Sequence, residues 1–119
     1  MRVPAFLLRR LYVKGSLRAT SDGFAFDLRN QLGAGYARRL FPLALDGAEL
    51  DMAATTFEVE GKRIAFDAVS DGTPFTLALN RTTTIAYSGG ALEPGAHKVS
   101  MRFEVAGLGE LGFDFTDTV

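Results

Sequence analysis

His97 is the chain's one histidine, and with no cysteine present it is the only side chain whose ordinary pKa lies near neutrality. It could act as a general base or as a first metal ligand. It follows Gly95 by two residues in the run LEPGAHKV at 92–99, where a Pro-Gly turn launches a strand, and no second ligand stands nearby. The expected role is structural: a packing residue on the face of Val99 and Met101, with a ring nitrogen bonded to a turn carbonyl. The carboxylates are spread along the chain, and spacing alone leaves open whether any two meet across strands, as a glycosidase would require. Glu58, Glu60, Glu104 and Asp114 fit the outward faces of strands. Asp114 and Asp117 could join a calcium site, but no loop of alternating acids supports one. The triplet Gly33, Ala34, Gly35 is too short for a dinucleotide fingerprint, and no serine sits in a nucleophile-elbow context. A self-sufficient hydrolase is therefore not expected, and no residue is assigned as catalytic or as a metal ligand.

Binding groups are the next candidates. The run LGAGYARR at 32–39 is the longest break in the patterning, and it carries two glycines, one aromatic ring and two guanidinium groups. Loops mounted on a rigid scaffold are where binding groups tend to sit, and Arg and Tyr are enriched in interfaces. A solvated crossover between sheets is the other reading of the same residues.

These side chains need elements to hold them, and the patterning says which. Residues 98–105 alternate polar and apolar without a break, which puts Val99, Met101, Phe103 and Val105 on one face of a pleated strand. The same alternation runs through 11–20 and from Leu111 through Phe113 to Phe115. Turn cues at Asp22-Gly23, Asp46-Gly47, Gly61, Asp71-Gly72, Gly89-Gly90 and Pro94-Gly95 cut the chain into strands near 11–20, 24–30, 40–45, 56–60, 62–66, 75–79, 82–87, 97–105 and 110–116. About eight or nine short strands at this rhythm predict an all-β fold, an antiparallel sandwich of two sheets, immunoglobulin-like or jelly-roll-like. Helix is expected only as single turns within 48–54 and 65–70.

With 119 residues the chain fits one sandwich domain over 1–119, with 10 phenylalanines and no tryptophan to fill it. A net charge of -1 with no strongly basic half argues against nucleic acid. The absence of cysteine suits a reducing compartment, so cytoplasm is the default. The apolar run AFLL at 5–8 is cut by Arg9 and Arg10 before it could serve as a signal core or span a membrane, so it is read as part of the fold.

Four segments taken in order, VKGSLR at 13–18, DGFAFDLR at 22–29, FEVEGK at 57–62 and GALEPGAHKV at 90–99, resemble the small β subunit of bacterial C-glycoside deglycosidases, with GYARR at 35–39 in the place of a Tyr- and Arg-rich segment. The resemblance implies a hetero-oligomer with a larger α subunit, which is similar to sugar-phosphate isomerase barrels and holds a divalent metal, commonly manganese. It implies that the α subunit breaks the carbon–carbon bond of a 3-oxo-C-glycoside by β-elimination in flavonoid C-glycoside catabolism. The present chain is then an accessory subunit of a lyase, inactive alone and without a cofactor of its own. Its expected partner interface is the 32–41 segment, with Tyr36, Arg38, Arg39 and Phe41 as contacts. The alternative is a carbohydrate-binding or immunoglobulin-like recognition module, for which Tyr12, Tyr36 and Tyr87 would be the stacking platforms.

Overall fold

The computed structural model describes residues 3–33 and 35–119. A short helix α1 (Ala5–Leu8) runs into a 3-10 turn at Arg9–Leu11. The strands that follow are β1 (Arg18–Ala19), β2 (Phe24–Arg29), β3 (Gly35–Leu40), β4 (Ala44–Leu45), β5 (Ala48–Glu49), β6 (Thr55–Val59), β7 (Lys62–Ala65), β8 (Phe75–Leu77), β9 (Thr82–Tyr87), β10 (Ala96–Val105) and β11 (Gly109–Thr118). One sheet is ordered β1-β2-β9-β6-β7. The other is β5-β4-β10-β3-β8, with β11 along the remaining side of β10. Every pairing between these strands is antiparallel, so the chain is the all-β sandwich that its alternation predicts. It has more strands than expected because two-residue strands such as β4 and β5 are too short to display a period.

The β10–β11 hairpin is the backbone of the second sheet, paired without interruption from Ala96↔Thr118 to Val105↔Gly109. On its inner face Val99, Met101 and Phe103 meet Phe115, Phe113 and Leu111, all buried. Of the 10 phenylalanines only Phe6 and Phe41 stay outside the buried core. Aromatic edges join the layers: the Phe57 ring of β6 lies 4.7 Å from Phe75 of β8 at 79°, and Phe26 of β2 lies 5.1 Å from Phe115 of β11 at 64°. Edge-to-face pairs of this kind follow from the ring quadrupole.

Two segments depart from expectation. Residues 11–20 are not one strand: Leu11 closes the 3-10 turn, Gly15 takes φ +85°, and only Arg18–Ala19 pairs as a strand. What replaces the ladder is a staple to the other sheet. The Tyr12 hydroxyl donates to Asp117 Oδ2 at 2.6 Å and accepts the Leu17 amide at 3.0 Å, while the Gly15 amide donates to the same carboxylate oxygen at 2.8 Å. The Tyr12 ring stacks on Phe115 at 3.6 Å with 9° between planes. Burial, followed by the Asp117 hydrogen bond, pushes the Tyr12 phenol up, and that hydrogen bond holds the Asp117 carboxyl below its ordinary range. Tyr12→Phe keeps the stack and removes the hydroxyl, and chemical denaturation should show a loss of about 1–2 kcal/mol.

The second departure is the 32–41 segment, expected as a loop. Most of it is β3, which pairs with β8 through Gly35↔Leu77 and with β10 through Leu40↔Phe103. Ala34 lies outside the described residues. The pattern hides the strand because Val105 pairs with Ala37 while Glu104 pairs with Arg39, so Arg38 is an extra residue in a bulge. Arg38 and Arg39 are consequently both exposed, whereas Ala37 and Leu40 are buried.

Candidate functional site

The extra residue in β3 bears on the sandwich end where β3, β8 and the β10–β11 turn meet. An apolar cavity of about 220 Å³ lies there, its floor built from buried Leu8, Leu11, Ala37, Phe75, Phe103 and Leu111. Its lining also includes Leu32, Tyr36 and Leu108, three of the large hydrophobic side chains the fold leaves exposed. Tyr36 is 49% exposed on β3, Leu32 follows β2, and Leu108 stands at the tip of the β10–β11 turn between Gly107 and Gly109. Together these three side chains leave an apolar rim around the opening.

The opening is shaped by Asn30, buried to 3% where β2 ends. Its Nδ2 donates to Gly33 O at 2.6 Å and to Leu77 O at 2.8 Å, and its Oδ1 accepts the amides of Leu32 at 3.0 Å and Gly33 at 3.2 Å. One amide thereby folds 30–33 back and ties it to β8. With its donors and lone pairs used internally, Asn30 offers the cavity no free polar atom. Sequence reasoning passed over Asn30 and Leu108. An Asn at a strand end just before a glycine-bearing segment is an Asx-turn signal, and a leucine between two turn glycines is an apolar residue with no strand to bury it.

Of the expected interface residues, only Tyr36 lines the cavity. Arg38 donates to Glu104 Oε2 at 2.5 Å, which raises its pKa, and Arg39 is exposed beside it. Phe41 is half-buried, with the Arg102 guanidinium 5.2 Å from its ring centre. The outer face of this sheet is a lattice of exposed ion pairs: Arg102 with Glu49 and Glu110, and Asp114 with Arg9 and Lys98. Exposed pairs are worth about 0–1 kcal/mol each, so this face is well solvated and a poor anchor.

The other candidates are placed just as plainly. Asp114 and Asp117 differ in parity on β11, so they face opposite sides and share no calcium site. Among the described residues no three His, Cys, Asp or Glu stand together as metal ligands. Tyr12 is stacked on Phe115 and Tyr87 is half-buried against Gly89, which leaves Tyr36 as the exposed tyrosine ring. His97 bonds the Glu93 carbonyl, as a strand-entrance histidine should, and also Asp46. No described helix is long and apolar enough to cross a membrane.

A search of curated proteins finds no match to the chain. Residues 7–119 match the family described as hydroxymethylglutaryl-CoA reductase, N-terminal domain. The chain belongs to that family. Membership in the reductase N-terminal domain family overturns the resemblance to the C-glycoside deglycosidase β subunit, and the vocabulary of carbon–carbon cleavage and C-glycoside catabolism goes with it. The reason lies in what the quoted segments are. DGFAFDLR is a turn and β2, FEVEGK is a hairpin whose turn residues Glu60 and Gly61 both take positive φ, and GALEPGAHKV is a turn leading into β10. Sandwich geometry alone dictates such text, so its order and spacing recur without kinship.

Proposed function

We propose that the chain is a non-catalytic sandwich module that docks on a larger catalytic polypeptide of the reductase type, seating one apolar side chain of that partner in the cavity beneath Leu32, Tyr36 and Leu108. The observation that carries this reading is the cavity's size and setting. A hole of about 150 Å³ accepts benzene, whereas pockets for whole drug-sized ligands run about 300–1,000 Å³. At about 220 Å³ the space matches one ring or branched side chain. The family description, which names an N-terminal domain of an enzyme, supports a catalytic region elsewhere. On this reading the chain alone turns nothing over, and any metal or cofactor is held by the partner. An anchor side chain in a desolvated hole, ringed by contacts that exclude water, is the usual source of interface affinity.

The experiment is calorimetric titration of the chain with the reductase-type catalytic polypeptide. Leu108→Glu puts a charge at the mouth of the hole on an exposed turn, where the fold itself should tolerate it. Affinity should fall at least about 30-fold, equivalent to about 2 kcal/mol, while Arg39→Ala changes it by less than about threefold. Absence of binding by the folded wild-type chain, or equal affinities for Leu108→Glu and wild type, refutes the proposal.

A further inference from the structure

At the other end of β10, away from the cavity, His97 joins three pieces of chain. Its Nδ1 lies 2.7 Å from Asp46 Oδ2 in the β4–β5 turn, and its Nε2 lies 2.6 Å from the Glu93 carbonyl in the preceding loop. The second Asp46 oxygen accepts the Lys98 amide at 2.8 Å, and the Asp46 amide donates to Lys98 O at 2.8 Å. The imidazole is largely covered, with 13% of its side chain exposed.

Both of its partners are acceptors only. A carbonyl and an ionised carboxylate have no hydrogen to give, so each ring nitrogen must supply one, and only the imidazolium carries two N–H groups. Either neutral tautomer sets a nitrogen lone pair against an oxygen. We propose that His97 is a proton-operated latch, which as the imidazolium braces the β4–β5 turn and the 93–95 turn against the start of β10 and on deprotonation loosens them, leaving the Asp46–Lys98 and Gly95–Val119 backbone bonds as their remaining ties.

The charged groups around the ring are few and favour one direction. Asp46 faces it from the β4–β5 turn and Glu93 belongs to the preceding loop, while Lys98 follows it on β10. Asp117, its cross-strand partner on β11, is already engaged by the Tyr12 hydroxyl and the amides of Gly15 and Thr118. In agreement, the Asp46 hydrogen bond, followed by the Glu93 carbonyl, raises the His97 pKa above its ordinary 6.5, and the His97 hydrogen bond lowers Asp46. Stability contributed by a raised histidine is complete below its unfolded pKa and disappears as pH climbs through the folded one. The latch therefore holds in mild acid and opens on the alkaline side of the His97 midpoint, and it also fails in strong acid once Asp46 is protonated.

Because the chain holds 1 histidine, its imidazole titration is unambiguous by NMR. The wild-type Cε1 proton should titrate with a midpoint above 6.5, and Asp46→Asn, which tolerates the positive φ of that turn, should bring the midpoint back toward 6.5. Hydrogen exchange of the Asp46 and Lys98 amides, corrected for intrinsic pH dependence, should quicken across the same midpoint, by about tenfold per unit of its elevation. Amides of β2 and β9 serve as the internal control and should not follow. A wild-type midpoint at or below 6.5, an Asp46→Asn midpoint equal to wild type, or pH-independent protection of these amides overturns the latch.

Discussion

Gly23→Ala should be the most damaging single-methyl change in this chain, costing about 3 kcal/mol or more and lowering Tm by about 10 °C or more. A Cβ at position 23 would lie 1.7 Å from the Tyr87 carbonyl oxygen and 2.6 Å from its carbon. Both are backbone atoms of β9, held by the Phe24↔Tyr87 pair and, on the other side, by Thr55↔Tyr87. No side-chain rotation can relieve the clash, so β2 and β9 must separate at the end where the first sheet is centred. The Asp22 and Gly23 carbonyls are also anchored there, accepting the Gly90 and Thr20 amides at 2.9 Å each. Gly90 provides the control: a Cβ there meets nothing within 4 Å, and Gly90→Ala should shift stability by no more than about 0.5 kcal/mol. Thermal unfolding followed by circular dichroism reads both. If Gly23→Ala melts with wild type, the close approach of the two backbones is wrong.

Asn30→Asp is the second change with a large expected effect, although it alters one atom of the side chain. The carboxylate has no N–H to offer, so Gly33 O and Leu77 O, now 2.6 and 2.8 Å from the Asn30 nitrogen, would face a charged oxygen in a buried setting. One carboxylate oxygen would keep the Leu32 and Gly33 amides, but the other would face two carbonyl oxygens with no donor, and burying charge in that setting is expected to cost about 3 kcal/mol or more at neutral pH. The sign with pH follows from burial. The folded state should favour the protonated acid, so the destabilisation should shrink below about pH 4 and grow above it. Urea unfolding of Asn30→Asp against wild type at two pH values checks this directly. Because the same side chain positions Leu32 and Gly33 beside the cavity, affinity for the proposed partner should drop as well. An Asn30→Asp protein as stable as wild type at neutral pH would show that the amide is not the keystone of that end.

The parts of this fold that were legible beforehand are those where one face is dry and the other wet. Alternation at 98–105 reports the local geometry of β10 directly, and paired turn residues such as Asp46 and Gly47, both at positive φ, announce a tight hairpin in the text itself. β3 escapes the pattern because a single bulged residue, Arg38, shifts the period, and parity has no means of counting an extra residue. Residues 11–20 misled for the opposite reason. Their alternation is real, yet the bond from Tyr12 to Asp117 spans 105 positions and draws that segment out of the ladder.

The site divides along the same line. Tyr36 could be picked out by residue type, since an aromatic beside glycines and arginines is a common contact. Leu108 and Asn30 could not, because their meaning depends on the cavity that β3, β8 and the β10–β11 turn enclose together. Of the two arginines beside Tyr36, Arg38 is held by Glu104 of the neighbouring strand and Arg39 is exposed next to it, a difference that residue type does not show. The amino-acid order by itself determined an all-β chain with a phenylalanine core, because hydropathy period and turn chemistry are local. Only the tertiary structure decided where the apolar opening lies, which polar groups are saturated, and that both nitrogens of the one histidine face acceptors, because each of these is a distance between residues far apart in the chain.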